Sequence, residues 1–435
     1  MALTTQPYKG ARDFYPDDMR VQKYMFGVMR GVAEQFGYEE YDAPILEPVE
    51  LYLAKSGEEI VNEQTYAFKD RGGRDVTIRP EMTPTVSRMV AARRQELAYP
   101  ARWYSIPVNW RYERPQRGRL REFWQLNIDI FGIDGLQAEH EIIQLADRIM
   151  QKYGAERSMY TIKLNSRQLM NVALHQYLGL SEVQAHTISK LIDRMHKMER
   201  SEFLAQADAV LSPSEREAGT NAKLFELLEA KTLNDLPEEL YRHESVAQLK
   251  KLLELLRQGG ITNAVFDISL MRGFDYYTDV VFEVFDNHPE NNRSMFGGGR
   301  YDGLVRLFGV EPVPTVGFGM GDVTIQNFLQ THDLLPKIQL ETDLYVILIG
   351  EIYDRAQPII SELREMGLNI AVDSSGRKPD KQIKAAVKKG IHNALFIGEN
   401  ELAEEQYMLK NLETGVEGKH SAARIVSLVK DYRKA

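Results

Sequence analysis

Cysteine is absent from the 435 residues, which excludes disulfides, thiolate zinc sites, iron-sulfur clusters and a cysteine nucleophile. No stretch approaches the ~20 apolar residues of a membrane span, and the opening MALTTQPYKGARDFYP lacks the apolar core of a signal peptide. A protein that stays where it is made, in a reducing cytoplasm and off the membrane, is the expectation. Cationic excess is missing too: 54 Lys and Arg face 63 Asp and Glu, a net charge of -9. Any contact with a polyanion must then rest on local basic patches. The sequence has no GxxxxGK[ST] or HExxH motif, its nine histidines are scattered, and GFGMGD is not followed by a mononucleotide-type helix with an acidic partner. These absences speak against P-loop, zinc-protease and Rossmann chemistry. Internal repeats and low-complexity tracts are also absent.

What remains is ordinary for a globular protein, with 43% hydrophobic and 27% charged residues, and a length that predicts two to four folding units. Val21, Tyr24, Met25, Val28, Met29, Val32 and Phe36 recur at three- and four-residue steps, predicting an amphipathic helix closed by Gly37. Strand patterns at 102–113 and 121–131 flank the turn-prone PQRG and predict a long antiparallel hairpin. That pairing argues against a doubly wound parallel sheet. Residues 166–260 turn helical, as in ESVAQLKKLLELLRQGG, and strand patterns then resume. The expected division is a catalytic domain over 1–165 and 261–330, a helical insertion over 166–260, and a C-terminal α/β domain over 331–435.

The densest chemical feature is WRYERPQRGRLREFWQLNIDIFG, with Arg111, Arg114, Arg117, Arg119 and Arg121 on one hairpin. Converging guanidiniums match phosphate oxygens two at a time; a solvated, aggregation-resistant sheet edge is the alternative. Beyond it, alternation puts Trp124, Leu126, Ile128 and Ile130 on one strand face and Phe123, Gln125, Asn127 and Asp129 on the other. The second face suits a small cationic polar ligand, or simply water. Glu81 and Thr83 in TIRPEMTP, read as extended, point the same way and could jointly hold an ammonium. In MRGFDYYT, Arg272 either pairs with Asp275 or aims at a bound anion, with Tyr276 and Tyr277 orienting a ligand. Glycines 297–299, 317, 319 and 321 permit close backbone approach or positive φ. Arg377, Lys378, Lys381, Lys384, Lys388 and Lys389 crowd thirteen residues beside Asp380, as a solvated helix face or an RNA-backbone patch.

Taken in order, these segments resemble the histidyl-tRNA synthetases, a class II aminoacyl-tRNA synthetase family. Residues 36–50 resemble the dimer-interface motif 1 and RYERPQRGRLREFWQ the arginine-rich motif 2. MRGFDYYT resembles the histidine-binding signature, FGGGRYDGL the segment after it, and SGRKPDKQIKAAVKKG the anticodon-binding domain. The resemblance implies an α+β fold, a class II antiparallel sheet flanked by helices, with the helical insertion and an anticodon-binding α/β domain. It implies a homodimer using ATP, Mg2+, L-histidine and its tRNA, with no metal held by protein side chains alone. By matching position, Glu81, Thr83 and Gln125 would hold the amino group of histidine, and Asp129 and Tyr277 its imidazole. Arg111 would contact the α-phosphate and the histidine carboxylate, and Glu113 would sit near the adenine or the metal-bound phosphates. Phe123 would stack on adenine, Arg119 and Arg121 would adjoin the phosphates, and Arg272 would stabilise charge on the α-phosphate. Tyr276 and Tyr301 would line the same pocket, and Arg377, Lys378, Lys381, Lys384 and Lys388 would meet the tRNA.

One departure stands out. Motif 3 of the class ends in an arginine that holds the ATP γ-phosphate, and Thr324 occupies that place. Arg114, Arg117 or Arg119 could compensate. Otherwise ATP chemistry is lost, and the alternative is a histidine-sensing paralogue resembling the regulatory subunit of ATP phosphoribosyltransferase. The C-terminal domain and Arg272 oppose that alternative, and a scaffold without histidine binding leaves Gln125, Asp129 and the tyrosines unexplained.

Overall fold

A computed structural model describes residues 3–53, 64–195, 198–271, 276–291 and 293–434, with side chains to Tyr432. Helix α1 (Pro16–Gln35) starts at a proline preset for a first turn, where Asp17 and Asp18 complement the helix dipole. The Asp18 carboxylate accepts the Tyr15 N–H at 3.0 Å, and Gly37 (φ +79°) ends the helix. Its predicted apolar side is the one that packs: Met25, Phe26, Met29, Val32 and Ala33 are buried against α4 (Gln137–Lys152).

The first unit is built on a nine-stranded sheet. Its strands are β1 (Glu39–Glu40), β5 (Ala101–Ser105), β6 (Val108–Trp110), β7 (Glu122–Phe131), β8 (Tyr160–Ser166), β9 (Ala264–Phe266), β10 (Val280–Asp286), β11 (Ser294–Arg300) and β12 (Thr315–Gly321). They run in the order β1-β5-β7-β12-β11-β10-β8-β9, antiparallel throughout the centre and parallel only at the two outer pairs. The predicted hairpin is present, but its first arm is two strands, β5 and β6, both paired with β7. Pro107 has no N–H to continue the ladder, and its carbonyl instead accepts the Gln125 N–H at 3.1 Å. Leu126, Ile128 and Ile130 are fully buried on the core face of β7, as the alternation requires.

A smaller sheet, β2 (Leu46–Pro48), β4 (Asp75–Ile78) and β3 (Tyr66–Lys69), is antiparallel. Glu47 on its inner face is buried and pairs with Arg88 of α3 (Thr83–Arg93) at 2.7 Å. Its outer face presents Leu46, 42% exposed, and Phe68, 49% exposed. Short helix α2 (Glu50–Leu53) follows β2.

Between β8 and β9 run α5 (Arg167–Val172), a π-helical turn (Ala173–Tyr177), α6 (Glu182–Arg194), α7 (Arg200–Val210), α8 (Pro213–Glu217), α9 (Thr220–Glu229), α10 (Glu238–Tyr241) and α11 (Glu244–Gln258). Leu174, Ile188, Leu224 and Leu249 from these helices join one apolar cluster with the sheet and α1. Helix α12 (Asp322–Thr331) and the following Leu334 and Leu335 pack on the same core, so the first unit extends to Pro336.

The second unit, from Lys337, is a five-stranded sheet in the order β14 (Ile370–Val372), β13 (Leu344–Leu348), β15 (Asn393–Ile397), β16 (Tyr407–Asn411) and β17 (Glu417–His420). The first three strands are parallel and the last two antiparallel. Leu344 and Val346 face the cluster formed with α13 (Tyr353–Glu365) and α16 (Ala422–Lys434), while Tyr345 and Ile347 face Ala386 of α14 (Pro379–Lys388). A strand buried on both faces reads as the continuous apolar run LYVIL. Helix α15 (Glu399–Glu404) completes the unit.

Candidate active site

The polar face of β7 forms one wall of a cavity of about 470 Å³, into which Phe123, Gln125, Asn127 and Asp129 project. Glu81 and Thr83 enter from a second element. The extended reading of Thr83 does not hold: Thr83 opens α3, with Pro84 in the first turn, and the pair meets at the cavity because the chain turns there. Tyr276, Tyr277 and Tyr301 close the far side, with ring centroids 5.0, 5.6 and 6.4 Å apart. Arg272 and Asp275 lie outside the described residues.

Asp129 lies on the β7 wall of this cavity. It is 3% exposed, the Tyr301 hydroxyl donates to its Oδ1, and its Oδ2 is buried without a hydrogen-bond partner among the described residues. Burial pushes its carboxyl up to about 7 in spite of the tyrosine hydrogen bond. One oxygen of a carboxyl poised between charged and neutral is thus free for a ligand N–H. Nearby, the Tyr276 hydroxyl donates to buried Glu81 at 3.3 Å.

Gln125 is set by a relay that sequence reasoning missed. Buried Arg79 donates to the carbonyls of Ala43, Pro44 and Val108 at 2.9–3.1 Å and through Nε to Asn109 at 3.3 Å. Asn109 in turn donates to Gln125 Oε1 at 3.4 Å. Glu283 of β10 also lines the cavity; a lone acid in VVFEVF was the signal that could have found it.

The glycines act through closeness, not through positive φ, since none of 297–299, 317, 319 or 321 is left-handed. A Cβ on Gly317 would stand 2.1 Å from Asp129 Oδ1, and one on Gly319 would stand 1.6 Å from Gln125 Nε2. Strand β12 therefore makes room for the side chains that β7 projects.

At the other end, the Arg111 guanidinium lies 5.3 Å from the Phe123 ring centroid and donates to the Pro80 carbonyl at 2.9 Å. Glu113 and Arg119 pair at 3.4 Å, and both line the cavity. Arg121 does not. It donates to the Glu113 carbonyl and the Tyr8 hydroxyl, each at 3.1 Å, and its guanidinium sits 4.0 Å from the Tyr112 ring centroid. The N-terminal segment passes over it, Gly10 accepting the Arg121 N–H at 2.9 Å, which turns this arginine into a brace for the loop. Among the described residues no three His, Asp or Glu side chains converge as a metal site.

In the second unit, Lys378, Lys381, Lys384, Lys388 and Lys389 are exposed around α14. Arg377 is less available, held by Asp373 at 2.6 Å.

An antiparallel sheet whose glycine strands cradle a carboxylate-lined pocket, next to an arginine hairpin, defines the catalytic fold of a class II aminoacyl-tRNA synthetase. Residues 10–322 match the family model for histidyl-tRNA synthetase, and residues 343–432 match that for an anticodon binding domain. The chain belongs to the histidyl-tRNA synthetase family. It is 43% identical over 412 residues to a histidine-tRNA ligase of Leptospira biflexa, covering 94% of each chain. It is 36% identical over 408 residues to that of Thermoplasma volcanium, again 94% of each. The fold is similar to the crystal structure of histidyl-tRNA synthetase from Nostoc sp. PCC 7120, with TM-score 0.82 and 22% identity over 99% of this chain and 100% of that one.

Proposed function

We propose that the chain is a histidine-tRNA ligase that activates L-histidine with ATP and transfers it to the 3′ end of its tRNA. The observation that carries this reading is Asp129: a buried carboxyl with one open oxygen, on the same strand face as Gln125 and Phe123. Asp129 Oδ2 accepts an imidazole N–H, with Tyr277 beside it; Glu81, Thr83 and Gln125 take the ammonium. Phe123 stacks on adenine. Arg111 contacts the α-phosphate, and Arg272, by its matching position in the family, stabilises the charge that develops there. A histidine carboxylate oxygen attacks the α-phosphorus, the bond from phosphorus to the bridging oxygen breaks, and pyrophosphate leaves with the electron pair. The chain's groups neutralise charge and orient reactants; no protein nucleophile is required. Mg2+ would come as its complex with ATP and neutralise phosphate charge, with Glu113 near the adenine or the metal-bound phosphates.

The tRNA then meets Lys381, Lys384 and Lys388 of α14, with Lys378 and Arg377 at the rim, and the 166–260 helices form a separate functional part of the first unit. The outer face of the small sheet, with exposed Leu46, Pro48 and Phe68, supports a homodimer joined through the segment around 36–50. No helix among the described residues is long and apolar enough to cross a membrane; we place the protein in the cytoplasm.

Histidine-dependent ATP/pyrophosphate exchange tests the reading without tRNA. Exchange supported by histidine and by no other amino acid is expected. Histidine binding without exchange would instead favour the regulatory paralogue.

A further inference from the structure

A second cavity, of about 620 Å³, adjoins the first, and the two share Gly118, Arg119, Glu283, Ser294, Met295 and Thr324 in their walls. Thr324 itself is no phosphate ligand, because its hydroxyl is engaged with the Met295 and Gly321 carbonyls at 2.8 and 3.0 Å. Arg114, one of the arginines expected to compensate, lines neither cavity.

The cations of the second cavity differ in what already neutralises them. Lys163 is paired with Asp267 at 2.7 Å and Arg119 with Glu113. Arg117 and Arg293 have no carboxylate partner among the described residues. Arg117 donates to the Glu290 carbonyl at 3.4 Å and the Thr331 hydroxyl at 3.3 Å, and Arg293 donates to the Arg117 carbonyl at 2.9 Å. The remaining carboxylates there, Asp193 and Glu283, each have interactions of their own. The Arg293 guanidinium thus sits at the Arg117 backbone, both side chains line the cavity, and two guanidiniums held only by neutral groups suit a dianion.

Resting on the ligase reading, we infer that this cavity receives the β- and γ-phosphates of ATP, and the pyrophosphate they become, with Arg293 and Arg117 in place of the arginine missing at Thr324. In-line displacement puts the leaving group opposite the attacking carboxylate. With histidine at the Asp129 end and adenine on Phe123, that direction runs past Arg119 and Thr324 into the second cavity.

The test is histidine-dependent exchange on the parent, Arg293→Ala, Arg293→Lys and the double variant Arg293→Ala with Thr324→Arg. Loss of a charge-assisted contact should raise the KM for pyrophosphate and ATP about 10- to 100-fold in Arg293→Ala, with the KM for histidine moving less than about twofold. Arg293→Lys should fall between, and Thr324→Arg should restore pyrophosphate affinity from the neighbouring wall. Unchanged pyrophosphate and ATP constants in folded Arg293→Ala overturn the inference. So does an effect confined to the KM for tRNA, which would make the occupant the phosphates of the tRNA end. Equal losses for histidine, ATP and pyrophosphate in the Ala and Lys variants, without rescue by Thr324→Arg, mark a merely structural arginine and overturn it too. A parent without any exchange overturns the ligase reading, and this one with it.

Discussion

Replacing Asp129 by asparagine is expected to weaken the protein's activity while raising its stability at alkaline pH. The folded carboxyl titrates above its unfolded value, so the fold favours the protonated form. The associated stability is fully present below pH 3.8 and is lost as pH climbs through about 7. The shift from 3.8 to about 7 corresponds, at about 1.4 kcal/mol per unit, to roughly 4 kcal/mol opposing folding at pH 8. Asparagine removes that opposition but leaves buried amide hydrogens without an acceptor, at roughly 1–3 kcal/mol. The balance favours the variant by about 1–3 kcal/mol at pH 8 and turns against it by about 0.5–2.5 kcal/mol at pH 4. Thermal melts of parent and Asp129→Asn at the two pH values, with histidine KM from exchange assays, read both sides. Histidine KM should rise about 10- to 150-fold from loss of a hydrogen bond to a charged group. A variant that melts lower than the parent by the same margin at pH 4 and pH 8, or that keeps the parent's histidine KM, would refute the assignment of Asp129 as a buried, ligand-facing carboxyl.

Gly319→Ala should push the Gln125 amide aside, raising histidine KM without a comparable change in ATP KM, as steady-state exchange would register. Arg79→Met strips the donors from the part-buried carbonyl contacts to Ala43, Pro44 and Val108 and from buried Asn109. A loss of roughly 3 kcal/mol or more is expected in denaturant titration, together with weakened histidine binding through the misplaced Gln125. Charge reversal at Lys381, Lys384 and Lys388 should raise the KM for tRNA in charging assays, more at low salt than at high. The same variant should leave ATP/pyrophosphate exchange at the parent rate.

Much of this was legible because the chain repeats simple periods. The three- and four-residue steps of α1 and the alternation of β7 mark the core side of each and the polar face of β7 that lines the cavity. Thr83-Pro84 carried a helix-start signal that the extended reading passed over. Arg79 carried none: a single arginine before a proline says nothing about four acceptors brought to it from residues 43, 44, 108 and 109. Arg121 misled for the opposite reason. Five arginines in one loop look alike in sequence, and only the path of the N-terminal segment, which brings Tyr8 and Gly10 to Arg121, sets that arginine apart from those lining the cavities.

The missing side chains of β12 set a direction for how such a pocket can change. Its floor is bare backbone at Gly317 and Gly319, so no substitution there can enlarge it, and each one encroaches on Asp129 or Gln125. On the ligase reading, room for a bulkier amino acid would have to come from the tyrosine wall. Selection for a new substrate would therefore find its variation at Tyr276, Tyr277 and Tyr301, while the floor stays closed to change in either direction.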